Sequence, residues 1–183
     1  MRIVLLAFGF RRIGGIDIVS RNIAATLASR GHDVHVVTPR ASYSGAGDTI
    51  VGVTIHRVRC VRIHYLNNPS FWLSAMPVVM RIRPDVIHVQ TFWTGMGGFI
   101  ARRLIHRPYV LHAHGNDVEL TWPMASFFKW LLLRDASAIV VLTQHMRDKL
   151  LAIHERAIDV IPNGVRVSNY RNLKAKAELR SEL

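Results

Sequence analysis

The residues best equipped for chemistry crowd one short stretch, HAHGND, which spans His112, His114, Asn116 and Asp117. Imidazoles exchange protons or bind metals, and Asn and Asp side chains grip hydroxyls. A metal site would need His112, His114 and Asp117 to converge. Strand alternation is expected to leave at most one of the two histidines facing a cleft. His112 and the earlier His88 therefore read as core histidines, and no metal is expected. A second group, QTFWTG, offers Gln90, Thr91, Trp93, Thr94 and Gly95. A third lies near the start, where Gly9, Gly14 and Gly15 flank Arg11 and Arg12. Glycine amides and arginines suit phosphate, Asn, Asp and His suit hydroxyls, and an aromatic suits a ring face. No nucleophile with its base stands out among them.

These groups need elements to hold them. Ile3 to Ala7 is an unbroken apolar run, the pattern of a strand covered on both faces. Ile16, Val19, Ile23 and Leu27 then mark one face of a helix, with Gly31 as its terminator. A glycine turn feeding a helix start leaves free amides where the helix dipole favours negative charge. Further buried strands are expected at 33–38, 85–90, 109–112, 138–142 and 157–161. An alternating, edge-type strand is expected at 51–61. Helices are expected from Asn68, as N-cap with Pro69 in the first turn, to about Ile82 and bent near Pro77. Others are expected from Gly95 to His106, from Met124 to Leu133, and after a Thr143 cap to about Ile153. Strands alternating with helices throughout predict an α/β fold, a doubly wound Rossmann-like parallel sheet with helices on both faces. In such sheets ligands bind beyond the carboxyl ends of the strands, where strand order reverses. That gathers the loops at 9–15, 90–98 and 112–119.

Half of the 183 residues are hydrophobic, so the chain carries enough apolar side chains for a sizeable core. The lone Cys60 excludes an internal disulfide and points to a reducing, cytoplasmic setting. Lys and Arg number 24 against 12 Asp and Glu, for a net charge of +12, which implies an anionic partner. Between Thr54 and Arg107 stand eight arginines and one acid, Asp85. The glycine spacing is not G-x-G-x-x-G, and no acid ends the second strand to hold a ribose, which speaks against nicotinamide or flavin. No phosphate-binding G-x-x-x-x-G-K-[ST] loop and no G-x-S-x-G elbow appears. No nucleic-acid-binding pattern appears either. The helix TWPMASFFKWLLLRDA (121–136) could lie on a bilayer surface with Lys129 and Arg134 at its rim, although packing on the sheet is the favoured reading.

Five segments in order, GFRRIGGIDIVSRNIAATLASRGHDVHVVT, RPDVIHVQTFWTG, YVLHAHGNDVE, ASAIVVLTQHMRDKL and DVIPNGV, resemble the N-terminal domain of a GT-B glycosyltransferase of the retaining family 4 type. The resemblance covers nearly all of the chain. It implies one half of a two-domain architecture, with a Rossmann-like acceptor-side domain at 1–168 and a linker and helical tail at 169–183 leading toward a C-terminal donor-binding domain. On this resemblance Gly14 and Gly15 lie against the diphosphate of a nucleotide-sugar donor. His114 contacts the transferred sugar, and Asn116 and Asp117 shape the sugar or acceptor site. Arg11 and Arg12 would meet an acceptor phosphate or lipid head group, and Thr94 joins the binding set from its loop. Gln90 stands where the family often has a second histidine. No metal or other cofactor is implied beyond the nucleotide-diphospho-sugar substrate. Without the second domain the chain is expected to be incompetent on its own. The alternative expectation is a stand-alone module for anionic lipid or sugar phosphate, peripheral on the inner membrane face. Self-association through the inter-domain face is a further expectation.

Overall fold

A computed structural model describes residues 1–10, 14–40, 49–61, 63, 66–119 and 123–164, apart from the side chains of 116, 117, 123 and 124. The linker and tail, Arg11 and Arg12 lie outside the described residues.

Seven parallel strands form one sheet: β1 (Arg2–Leu6), β2 (Asp33–Pro39), β3 (Val53–Val58), β4 (Val86–Val89), β5 (Tyr109–Ala113), β6 (Ala138–Val141) and β7 (Asp159–Val160). Their order across the sheet is β3-β2-β1-β4-β5-β6-β7. The helices are α1 (Gly15–Ser29), α2 (Asn67–Ile82), α3 (Phe92–Ile105), α4 (Asn116–Glu119), α5 (Pro123–Asp135) and α6 (Gln144–Leu151). The alternating segment is an edge strand, as expected, since β3 ends the sheet.

Strand alternation divides the core in two. Ile3 and Leu5 of the first strand, and Ala7 just beyond it, pack with Val34, Val36 and Ala24 on the α1 side. Val4 and Leu6 face the other way, onto Phe71 and Val79 of α2, Phe92 of α3, Leu132 of α5 and Leu150 of α6. Helices therefore flank both faces, and α1 is the one described helix on its side. Strand order turns back between β1 and β4, so the carboxyl ends of β1, β4 and β5 lie side by side. That places the three expected loops along one rim.

Two helix starts differ from expectation. Leu66, not Asn68, is the N-cap of α2, and no side chain caps it. The third helix begins at Phe92 rather than Gly95. Thr91 and Thr94 form a reciprocal capping box, each side chain bonding the other's backbone N–H. The glycines that hid this first turn have a packing reason. A Cβ on Gly98 would stand 2.9 Å from Val89 Cγ1 and 3.0 Å from the Tyr109 ring, so α3 sits closer to β4 and β5 than any side chain permits.

Candidate sugar and phosphate site

The first wall of the site is the start of α1. Gly14 is its N-cap at φ +109°, a conformation that side chains rarely adopt, and as a glycine it brings no capping side chain of its own. Gly14 and Gly15 are exposed, with their amides at the positive end of the helix dipole. Sequence reasoning missed Asp17. It lies in the first turn of α1, and a Cβ built on Gly9 would meet its carboxylate at 2.1 Å. The helix thus brings its own carboxylate close to the turn, which offsets part of the dipole. An acid in a first turn was the available signal.

The second wall follows β4. Gln90 is fully buried, and its backbone N–H donates to Thr94 Oγ1 at 3.0 Å. The same hydroxyl receives the Thr91 N–H at 3.0 Å and donates to the Thr91 carbonyl at 3.1 Å. Thr94 is itself fully buried. Its hydroxyl builds the turn that carries Gln90.

The third wall follows β5. His112 and His114 do not diverge. Residues two apart along a strand share a face, and their rings stand 4.1 Å apart, with His88 a further 5.6 Å beyond His112. The expectation that alternation separates them is overturned. His112 is a core histidine as expected, 6% exposed, with its Nε2 buried and unpartnered among the described atoms. His114 reaches the rim and holds Gln90: its Nε2 lies 2.9 Å from Gln90 Oε1. Burial holds all three rings neutral. It lowers His114 to about 3, with His112 adding to the effect, and His88 to about 3, with both neighbours adding; His112 falls to about 4 from burial alone. Gly115, at φ +91°, then turns the backbone so that Asn116 and Asp117 open α4 directly beside His114.

Lys129 braces this loop. It is 3% exposed, and its Nζ donates to the Val118 carbonyl, which ties α5 to α4. That burial takes Lys129 away from any membrane rim and agrees with the favoured reading of a helix packed on the sheet. Glu119 on α4 pairs with Lys149 of α6, and that hydrogen bond lowers the Glu119 pKa. Among the described residues no three His, Cys, Asp or Glu side chains are placed to hold a metal ion.

An exposed glycine turn and an imidazole clamped by a buried amide lie along one rim at the switch point of a parallel sheet. Residues 14–164 match the glycosyl transferase 4-like domain. The chain belongs to that family. An uncharacterized glycosyltransferase of Methanocaldococcus jannaschii is 23% identical over 90% of this chain and 46% of its own length. The UDP-Gal:alpha-D-GlcNAc-diphosphoundecaprenol alpha-1,3-galactosyltransferase of Escherichia coli is 28% identical over 68% of this chain and 34% of its own. Anabaena HepE, solved in complex with UDP-glucose, shares the fold at a TM-score of 0.71 and 19% identity over 100% of this chain and 49% of that one. The chain spans about half the length, or less, of these relatives. The domain is thus the N-terminal Rossmann-like half of the GT-B architecture.

Proposed function

We propose that this domain is the acceptor-side half of a glycosyltransferase that moves a hexose from a nucleotide-diphospho-sugar with retention of configuration. The observation that carries the reading is the placement of the glycine-led α1 start and the His114 imidazole along one carboxyl-end rim of the sheet, at the strand switch point. Amides of Gly14 and Gly15 would meet the donor diphosphate, and His114 would meet the transferred sugar. Asn116 and Asp117 would shape the sugar pocket, and Arg11 and Arg12 would meet an acceptor phosphate. Catalysis in this scheme is electrostatic. Amides and dipoles on this half, together with cations on a donor-binding domain, stabilise the departing diphosphate. No metal or protein nucleophile takes part.

The test is turnover. The 183-residue chain with UDP-glucose should transfer no sugar, and joining it to a donor-binding domain of the family should bring transfer. In the joined enzyme His114→Ala should lower kcat by about 100-fold, the scale of a lost transition-state contact. Transfer by the chain alone would overturn the division of labour. A silent His114→Ala would overturn the role of His114.

A second reading, an anionic-membrane module, is favoured by Ile63, Leu66, Leu73 and Phe127. All are large apolar side chains left exposed in a chain of net charge +12. A lipid-linked acceptor would unite both readings. The named acceptor of the E. coli relative is a diphosphoundecaprenol-linked sugar.

A further inference from the structure

We infer that Gln90 is a positioning residue that fixes the proton of His114 on Nε2, leaving Nδ1 as a bare acceptor nitrogen. The inference rests on the proposed reading of His114 as the sugar-facing group.

The geometry is specific. An amide oxygen only accepts, so a 2.9 Å contact between Gln90 Oε1 and His114 Nε2 requires the imidazole to donate. The other end of the amide is held more loosely. Gln90 Nε2 faces His88 Nδ1 at 3.5 Å, where the amide donates and the ring accepts. A flipped amide would set its oxygen against His88 and its NH₂ against His114, and would move the His114 proton to Nδ1. The backbone beneath cannot drift, since Thr94 Oγ1 holds the Gln90 N–H from within the α3 cap. The path thus runs from the α3 capping box through a fully buried amide to the ring at the rim.

The chemical consequence is selectivity. A neutral imidazole has one N–H and one lone pair. With Nε2–H committed to Gln90, the remaining nitrogen takes a hydrogen bond from a hydroxyl and repels a carboxylate or phosphate oxygen. The position therefore suits a neutral sugar hydroxyl rather than a uronic acid carboxylate. A histidine in place of Gln90 could present either an acceptor or a donor. Glutamine presents its oxygen without titrating.

The experiment is imidazole NMR on the 183-residue chain with ¹⁵N-labelled histidine. The expected result is a solvent-protected Nε2–H resonance for His114, identified by its loss in His114→Ala. It should also vanish in Gln90→Leu while the dispersed methyl spectrum persists. If Gln90→Leu does not fold, Gln90→Glu keeps the test decisive. A carboxylate at that distance favours imidazolium and should raise the protonated fraction of His114 at a given pH by at least about tenfold. A protected Nδ1–H in the wild type, or no change in His114 with Gln90→Glu, overturns the inference. The outcome is separable from the sugar-facing role, because the NMR signature needs no substrate. In the joined enzyme Gln90→Leu should lower kcat while leaving the donor KM within about twofold. A matched loss in both would indicate damage to the whole site and would count against a positioning role.

Discussion

The row of three neighbouring histidines makes a residue-scale prediction about acid. Each is held neutral in the folded chain, while an unfolded histidine titrates near pH 6.5. Below that value the unfolded state binds protons that the folded state refuses, so stability falls as pH falls. One such group costs about 1.4 kcal/mol per pH unit between the two pKa values, and more than one contributes. Urea midpoints should therefore drop steeply between pH 6.5 and 4 and stay flat from 6.5 to 8. Replacing His88 with Gln should flatten the acid limb, and an unchanged limb would remove the row from the explanation. Gly14 yields a second prediction. Its φ of +109° makes Gly14→Ala strained by about 1–3 kcal/mol whatever space surrounds it. Gly15→Ala, at a helical position with nothing within 4 Å of a new Cβ, should be nearly neutral in urea unfolding. At this scale the sequence shows candidate groups but not their partners. His114 was legible from its loop. Its bond to Gln90 was not, because a turn, a helix and a strand intervene. The capping role of Thr94 was not legible, because a capping threonine and a binding threonine are the same letter.

At the scale of elements, the apolar runs announced nearly every strand, because a strand covered on both faces leaves no room for polar alternation. Helix ends were harder. Arg83 and His106 close α2 and α3 in left-handed conformations at φ 51° and 53°, where no glycine marks the stop. The start of α3 was hidden by its glycines, and Gly98 shows why propensity misleads there. In an exposed helix, alanine for glycine gains about 1 kcal/mol. Here the added methyl meets Val89 and Tyr109 at about van der Waals overlap, and overpacking costs about 1–3 kcal/mol. Gly98→Ala should therefore lower the urea midpoint despite the propensity gain. Thr91→Ala should cost about 1 kcal/mol through the lost cap. It should also loosen Gln90, whose anchor Thr94 bonds to Thr91. A stabilised Gly98→Ala would show that α3 can move off the sheet, and that the rim loop is softer than its packing implies.

For the whole molecule the open question is what the positive charge meets. Part of it is spent internally. Arg102 and Arg103 pair with Asp135, Arg2 pairs with Asp33, and Arg156 donates to the carbonyls of Leu133 and Arg134 at the end of α5. The exposed Arg2–Asp33 pair contributes little to stability, and the net charge of +12 remains. The same molecule leaves Leu73 at 75% and Phe127 at 57% exposed, with Phe127 stacked on Trp130. No described helix is long and apolar enough to cross a bilayer, so any contact of these elements with lipid would be at its surface. Charge alone and charge with apolar insertion predict different salt responses. Pure electrostatic adsorption to anionic vesicles should disappear as ionic strength rises and the screening length shrinks from about 10 Å at 0.1 M toward 3 Å at 1 M. Adsorption with insertion should leave a residue of binding at high salt, and Leu73→Glu with Phe127→Glu should abolish that residue while sparing the low-salt component. Co-sedimentation with vesicles of phosphatidylglycerol against phosphatidylcholine, at 0.05 and 0.5 M salt, separates the cases. Binding to neither lipid at low salt would leave the arginines as a solvated face and turn the exposed apolar side chains toward a protein neighbour.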